Sequence, residues 1–128
     1  MPAELSATFT TLRGMLKKHS ATLVVTADTP TDFIVAHPTK TDRSGRPLFV
    51  AGVQVRKRYV SYHLMPVYAM PALLKSLTPD LRKRMQGKAC FNFTEIRPTQ
   101  LQELSTLTKS GIAGFKNFPV PWEKPSKK

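Results

Sequence analysis

One stretch, Leu48 to Tyr68 (LFVAGVQVRKRYVSYHLMPVY), gathers imidazole, hydroxyl and carboxamide groups at spacings that could serve a ligand. Folded back on itself about Lys57 and Arg58, it sets Gly52 opposite His63 and Gln54 opposite Ser61. A residue without a side chain beside an imidazole leaves room above a sheet, and Gln54 and Ser61 line the same strip with hydrogen-bonding groups. Arg56 and Arg58 at the turn, and Lys88 farther along, add positive charge. Together Gln54, Ser61, His63, Arg56, Arg58 and Lys88 suit a small anionic or phosphate-bearing ligand. The plainer reading is a solvated sheet face on which Gly52 eases a bend.

Catalysis and metal binding find less support. His63 could act as a general base, yet no carboxylate can be placed beside it, and Ser61 next to Tyr62 lacks the context of a nucleophile elbow. Cys90 is the single cysteine, which excludes an intramolecular disulfide and a cysteine-based zinc cluster. Between Ala89 and Phe91 it reads as a small apolar core residue; as a nucleophile it would need Lys88 or His63 to lower its pKa. His19, His37 and His63 could hold a metal only if three separate elements converged. Neither an enzymatic reaction nor a cofactor is assigned.

The charge balance is the strongest compositional signal. Lys and Arg number 20 against 8 Asp and Glu, a formal net charge of +12, which draws in phosphate-bearing partners. The cations are scattered through Arg13 to Lys18, Lys40 to Arg46, Arg56 to Arg58, Arg82 to Lys88 and the C-terminal end, so no single run forms a nucleic-acid motif. Sequence-independent nucleic-acid binding, with Tyr59, Tyr62 or Trp122 for stacking, is the alternative to a small anion.

A chain of 128 residues suits one domain, here 1–116, followed by a basic Pro/Lys-rich tail, 117–128, with Phe118, Val120 and Trp122 as anchors. No apolar run approaches the roughly 20 residues of a membrane span, and MPAELSATFTTLRGML has neither the basic start nor the apolar segment of a signal peptide. A cytoplasmic protein without a membrane partner is expected; its oligomeric state is not legible.

The elements that must position the strip can be read from periodicity. Leu5, Phe9, Leu12, Met15 and Leu16 recur at helical spacing, predicting an amphipathic helix from Ala3 to His19. Thr22 to Ala27 and Asp32 to His37 alternate as strands about an Asp/Pro turn, and the polar Pro38 to Pro47 reads as an exposed loop. In the central hairpin, Val55 pairs with Val60, Val53 with Tyr62 and Ala51 with Leu64. One face then carries Phe49, Ala51, Val53, Val55, Val60, Tyr62 and Leu64, and the other Gln54, Ser61, His63 and Gly52, with Met65 and Val50 beyond. Burial of the apolar set should fix this register. The tip has no Gly, Asn or Asp to accept the positive φ of a primed turn, which leaves a two-residue turn and a longer loop both open.

Helices are predicted at Pro71, over LTPDLRKRMQGK with Thr78 as cap and Gly87 as stop, and from Pro98 to about Phe115, where Gly111 and Gly114 should weaken the last turn. Between the last two, Ala89, Phe91 and Phe93 alternate against Cys90 and Asn92 as a half-buried strand. These elements make an α+β domain: a twisted, mostly antiparallel sheet of about five strands with helices on one face and N- and C-terminal helices flanking it.

The run FVAGVQVRKRYVSYHLMPVYAMPALLKSLTPDLRKRMQGKACFNF, and within it the blocks YVSYHLMPVY and MQGKACFNF, resembles the YdhG-like bacterial family of unknown function. The likeness covers the chain from about Leu48 to the C-terminal helix. It implies the same compact α+β domain and leaves the chemistry open. Some members have been proposed as frataxin-like iron handlers that hold the ion on an acidic helix. Here the first helix offers only Glu4 and the chain is basic, which disfavours iron.

Overall fold

A computed structural model describes residues 3–115. The tail 117–128, with its proposed anchors, lies outside the described residues. Five antiparallel strands form one sheet in chain order: β1 (Val24–Asp28), β2 (Asp32–Thr41), β3 (Pro47–Val55), β4 (Val60–Leu64) and β5 (Cys90–Phe93). Helices α1 (Ala3–Lys18) and α4 (Pro98–Phe115) flank it in sequence. Between β4 and β5 come α2 (Met65–Ala69), a 3-10 helix (Pro71–Ser76) and α3 (Pro79–Arg82).

The central hairpin has the register that side-chain segregation demands: Val55 with Val60, Gln54 with Ser61, Val53 with Tyr62, Gly52 with His63 and Ala51 with Leu64. Its tip is a two-residue turn, Lys57 and Arg58, closed by the Arg56 N–H donating to the Tyr59 carbonyl at 2.7 Å. Among the described residues only glycines have positive φ, so this is not a primed turn and needs no Gly or Asn.

The inner face is dry. Ala51, Val53, Val60, Tyr62, Leu64, Phe91 and Phe93 pack there with Phe33 and Val35 against Leu5, Phe9, Leu12, Met15 and Leu16 of α1 and Leu104, Leu107 and Ile112 of α4. Tyr62 reaches through this layer, and its hydroxyl lies 2.6 Å from Thr108 Oγ1 on α4. Each buried hydroxyl thus finds a partner, as the low-dielectric interior requires.

Several expectations are corrected. Phe49 does not belong to the buried set. Val35 pairs with Ala51 and Ala36 with Phe49, so β3 carries one extra residue there, and this bulge turns Phe49 outward and Val50 into the core. Strand β2 continues to Thr41, leaving only Asp42 to Arg46 as a tight turn of the predicted Pro38 to Pro47 loop. In that turn Asp42 Oδ1 accepts from the Ser44 and Arg46 N–H groups, and Gly45 supplies a φ of 89°.

Strand β4 ends at Leu64, where Pro66 suits the first turn of α2. The segment from Pro71 is a 3-10 helix, and α3 stops at Arg82 although Thr78 caps it as expected. The chain beyond α3 is drawn off by sheet pairing: Gln86 N–H donates to the Cys90 carbonyl and Asn92 N–H to that of Arg84. Gly87, at φ 81°, therefore makes the turn into β5 and does not stop the helix.

Helix α4 runs unbroken through both glycines. A Cβ on Gly111 would lie 3.0 Å from Pro66 Cβ, and one on Gly114 would lie 3.2 Å from Met70. These glycines let α2 approach α4 closely, and tertiary contact outweighs their poor helix propensity.

Candidate functional site

Two rows of residues cross the outer face of the sheet. The first runs Asp32, Gln54, Ser61, Asn92 over strands β2 to β5; the second runs Ile34, Gly52, His63, Cys90. Alternation along each strand puts both rows opposite the core, and the registers of four strands bring them into line.

The β2–β3 half of the first row forms a hydrogen-bonded ladder that runs from Asp32 through Gln54 to Arg56. Gln54 Nε2 donates to Asp32 Oδ1 at 2.8 Å, and its Oε1 accepts from the Arg56 guanidinium at 3.0 Å. Asp32 Oδ2 accepts from Thr31 Oγ1 at 2.7 Å. Hydrogen bonds from Thr31 and Gln54, in that order, hold the Asp32 carboxyl below the usual carboxylate range. Ser61 is only 2 % exposed, its hydroxyl 3.5 Å from the Gln54 backbone carbonyl, so it offers a ligand little surface.

In the second row His63 Nε2 lies 3.4 Å from Cys90 Sγ, and the thiol also reaches Asn92 Oδ1 at 3.4 Å. Burial lowers the His63 pKa, with Arg56 adding to the shift; burial raises that of Cys90 against the opposing pull of Arg56. Thiol and imidazole are therefore both neutral near pH 7. This is the reverse of an activated thiolate–imidazolium pair, so Cys90 is a polar neighbour of His63 in place of the core residue expected.

The room expected above Gly52 is filled. The Phe49 ring lies across it, 3.1 Å from where a Cβ would stand, and meets the His63 ring nearly perpendicularly at a centroid distance of 6.3 Å. What remains is a shallow face with an aromatic corner.

Of the six residues singled out by sequence, Gln54, Ser61, His63 and Arg56 come together. Arg58 stays exposed at the hairpin tip, and Lys88, exposed before β5, holds its ammonium 5.8 Å above the Tyr68 ring. Asp32, Asn92 and Phe49 are members that sequence reasoning missed. Strand alternation already set Asn92 beside Cys90 on the polar side of β5, which was the available signal.

No family model, curated protein or solved structure matches the chain.

The three histidines serve three places. His19 Nε2 lies 2.8 Å from Ser105 Oγ on α4, and His37 Nδ1 accepts from the Thr39 and Lys40 N–H groups at 3.1 and 3.0 Å. Among the described residues no three of His, Cys, Asp and Glu converge on a point that could hold a metal ion. No described helix is long and apolar enough to cross a membrane.

A cleft of about 760 Å³ opens elsewhere, between the 3-10 helix, α3 and α4. Its carboxylates are already engaged: Glu103 accepts from the Thr78 N–H and hydroxyl, each at 2.7 Å, and Asp80 pairs with Arg97. The exposed Lys75 also lines this cleft, one cation against two carboxylates, so it suits a negatively charged ligand less well than the strip.

Proposed function

We propose that this chain is a cytoplasmic, YdhG-like binding module that takes a phosphate-bearing anion on the outer face of its sheet. The observation carrying this reading is Arg56, which stands at the end of the ladder with its guanidinium fixed to Gln54 and its charge felt at both His63 and Cys90. A cation held in place loses little freedom on binding, and Arg offers a planar fork of donors to phosphate. His63 can add a proton when an anion arrives, and the net charge of +12 favours encounter.

Calorimetric titration with ribose 5-phosphate, inorganic phosphate and organic acids tests the reading. Arg56→Ala should weaken phosphate binding by roughly tenfold, the worth of one charge-assisted hydrogen bond. Cys90, the chain's only cysteine, serves as a native reporter: bound ligand should slow its reaction with a disulfide reagent at mildly alkaline pH. Binding that is indifferent to Arg56 and leaves Cys90 unprotected would remove the strip from consideration.

A further inference from the structure

We infer that the ligand of this face carries a planar aromatic base, so that the partner is a nucleoside phosphate, either free or as one unit of a single strand. The inference rests on the anion-binding reading above and narrows it.

The first ground is the charge arrangement of the ladder. Asp32 offers acceptors at one end and Arg56 a guanidinium, with Gln54 bonded to both between them. A simple phosphate or dicarboxylate lying along this row would meet the Asp32 carboxylate and be repelled. A ligand with N–H donors at one end and an anion at the other satisfies both. Purine and pyrimidine bases carry amino or ring N–H groups, and their nucleotides have that polarity.

The second ground is the aromatic corner. Phe49 and His63 stand at 78°, so a flat group stacked on one ring meets the edge of the other, the two favoured aromatic geometries together. Both rings are half-buried, so each keeps part of its surface open to solvent. Inorganic phosphate and sugar phosphates make no use of such a corner.

The third ground is the pair of carboxamides in one row. Gln54 is pinned from both sides, whereas Asn92 Oδ1 meets only the weak thiol donor of Cys90. The Asn92 amide can read a base edge with donor and acceptor at once. A strand rises about 3.4 Å per residue, so Gly52, under the Phe49 ring, stands about 14 Å from Arg56 along β3, enough for a base, its sugar and a phosphate. Beyond Arg56 the exposed Lys57, Arg58 and Tyr59 extend the surface with two cations and a ring that is 37 % exposed.

The test uses the full chain and equilibrium titration with AMP, ribose 5-phosphate and a labelled oligo(U) of about ten nucleotides at low salt. AMP should bind at least roughly tenfold tighter than ribose 5-phosphate, the usual worth of one stacked base. Phe49→Leu should bring AMP down towards ribose 5-phosphate and leave the latter unchanged. Should that variant fail to fold, Asn92→Ala, on the half-exposed outer row, should show the same selective loss. Oligo(U) binding tighter than AMP identifies a strand as the source of the base; AMP equal or tighter identifies the free nucleotide. Equal affinity for AMP and ribose 5-phosphate overturns this inference and leaves the anion site standing. Absence of binding by all three overturns both.

Discussion

His63 is the residue on which pH acts most directly. Burial and the nearby Arg56 hold its pKa below the ordinary 6.5. As pH falls, the unfolded chain therefore takes up the proton before the folded one does. The stability tied to the neutral ring is complete above about pH 6.5 and is lost on acidification through the lower, folded-state pKa. His19 shifts the same way, through burial and then Lys18 and Lys109. We expect the melting temperature to fall between about pH 7 and about pH 5, and His63→Gln to remove part of that slope. An unchanged slope in the variant would assign the loss to other groups.

Tyr62 offers a second measurement at this scale. Full burial raises its pKa, and Thr108, itself buried, is the partner of its hydroxyl. Tyr62→Phe should cost about 1–2 kcal/mol in urea denaturation, because Thr108 loses a buried partner.

Residue-level reading of the sequence succeeded where polar and apolar types separate, as at Gln54, Ser61 and His63. It failed at Phe49 and Val50 because FVA is apolar throughout and hides the bulge that turns one ring outward. Asp32 was out of reach for a different reason, and for Asn92 alternation gave only the face. The row that holds both depends on the pairing of β2 with β3 and of β4 with β5, which no local pattern specifies.

Among the elements, helix glycines separate intrinsic propensity from packing. Gly14 is exposed on α1 with nothing within 4 Å of an added Cβ, so Gly14→Ala should stabilise the protein by about 0.5–1 kcal/mol. Gly111 enjoys the same propensity gain but meets the rigid Pro66 ring at 3.0 Å. There overpacking should win, giving a net loss of about 1 kcal/mol for Gly111→Ala. Chemical denaturation of the two variants side by side checks the opposite signs.

The long elements, α1, α4 and the central hairpin, were legible because each carries a sustained period that buries one side. The short ones between Met65 and Arg82 were not. Three prolines in that span satisfy the rules for helix starts, while tertiary pairing of Arg84 to Gln86 with β5 decides where α3 stops.

For the whole molecule, 20 cations against 8 anions create self-repulsion. Arg13 pairs with Asp28 and Arg97 with Asp80, both near the surface, where such pairs contribute little. Raising sodium chloride from about 20 to about 200 mM should therefore raise the melting temperature, since screening relieves repulsion more than it weakens these pairs. The same change should weaken anion binding, so stability and affinity should move in opposite directions along one salt series.

The two margins of the sheet also differ. Beside β5 the Arg84 to Gln86 segment is hydrogen-bonded to its backbone, whereas among the described residues β1 has β2 alone for a neighbour and leaves Val24 and Val25 43 % and 48 % exposed. Growth of a fibril by lateral strand addition requires each copy to accept a newcomer on both sides. With one side occupied by its own chain, two copies joined through β1 would present no further place to add a third, and assembly by that route would terminate as a pair.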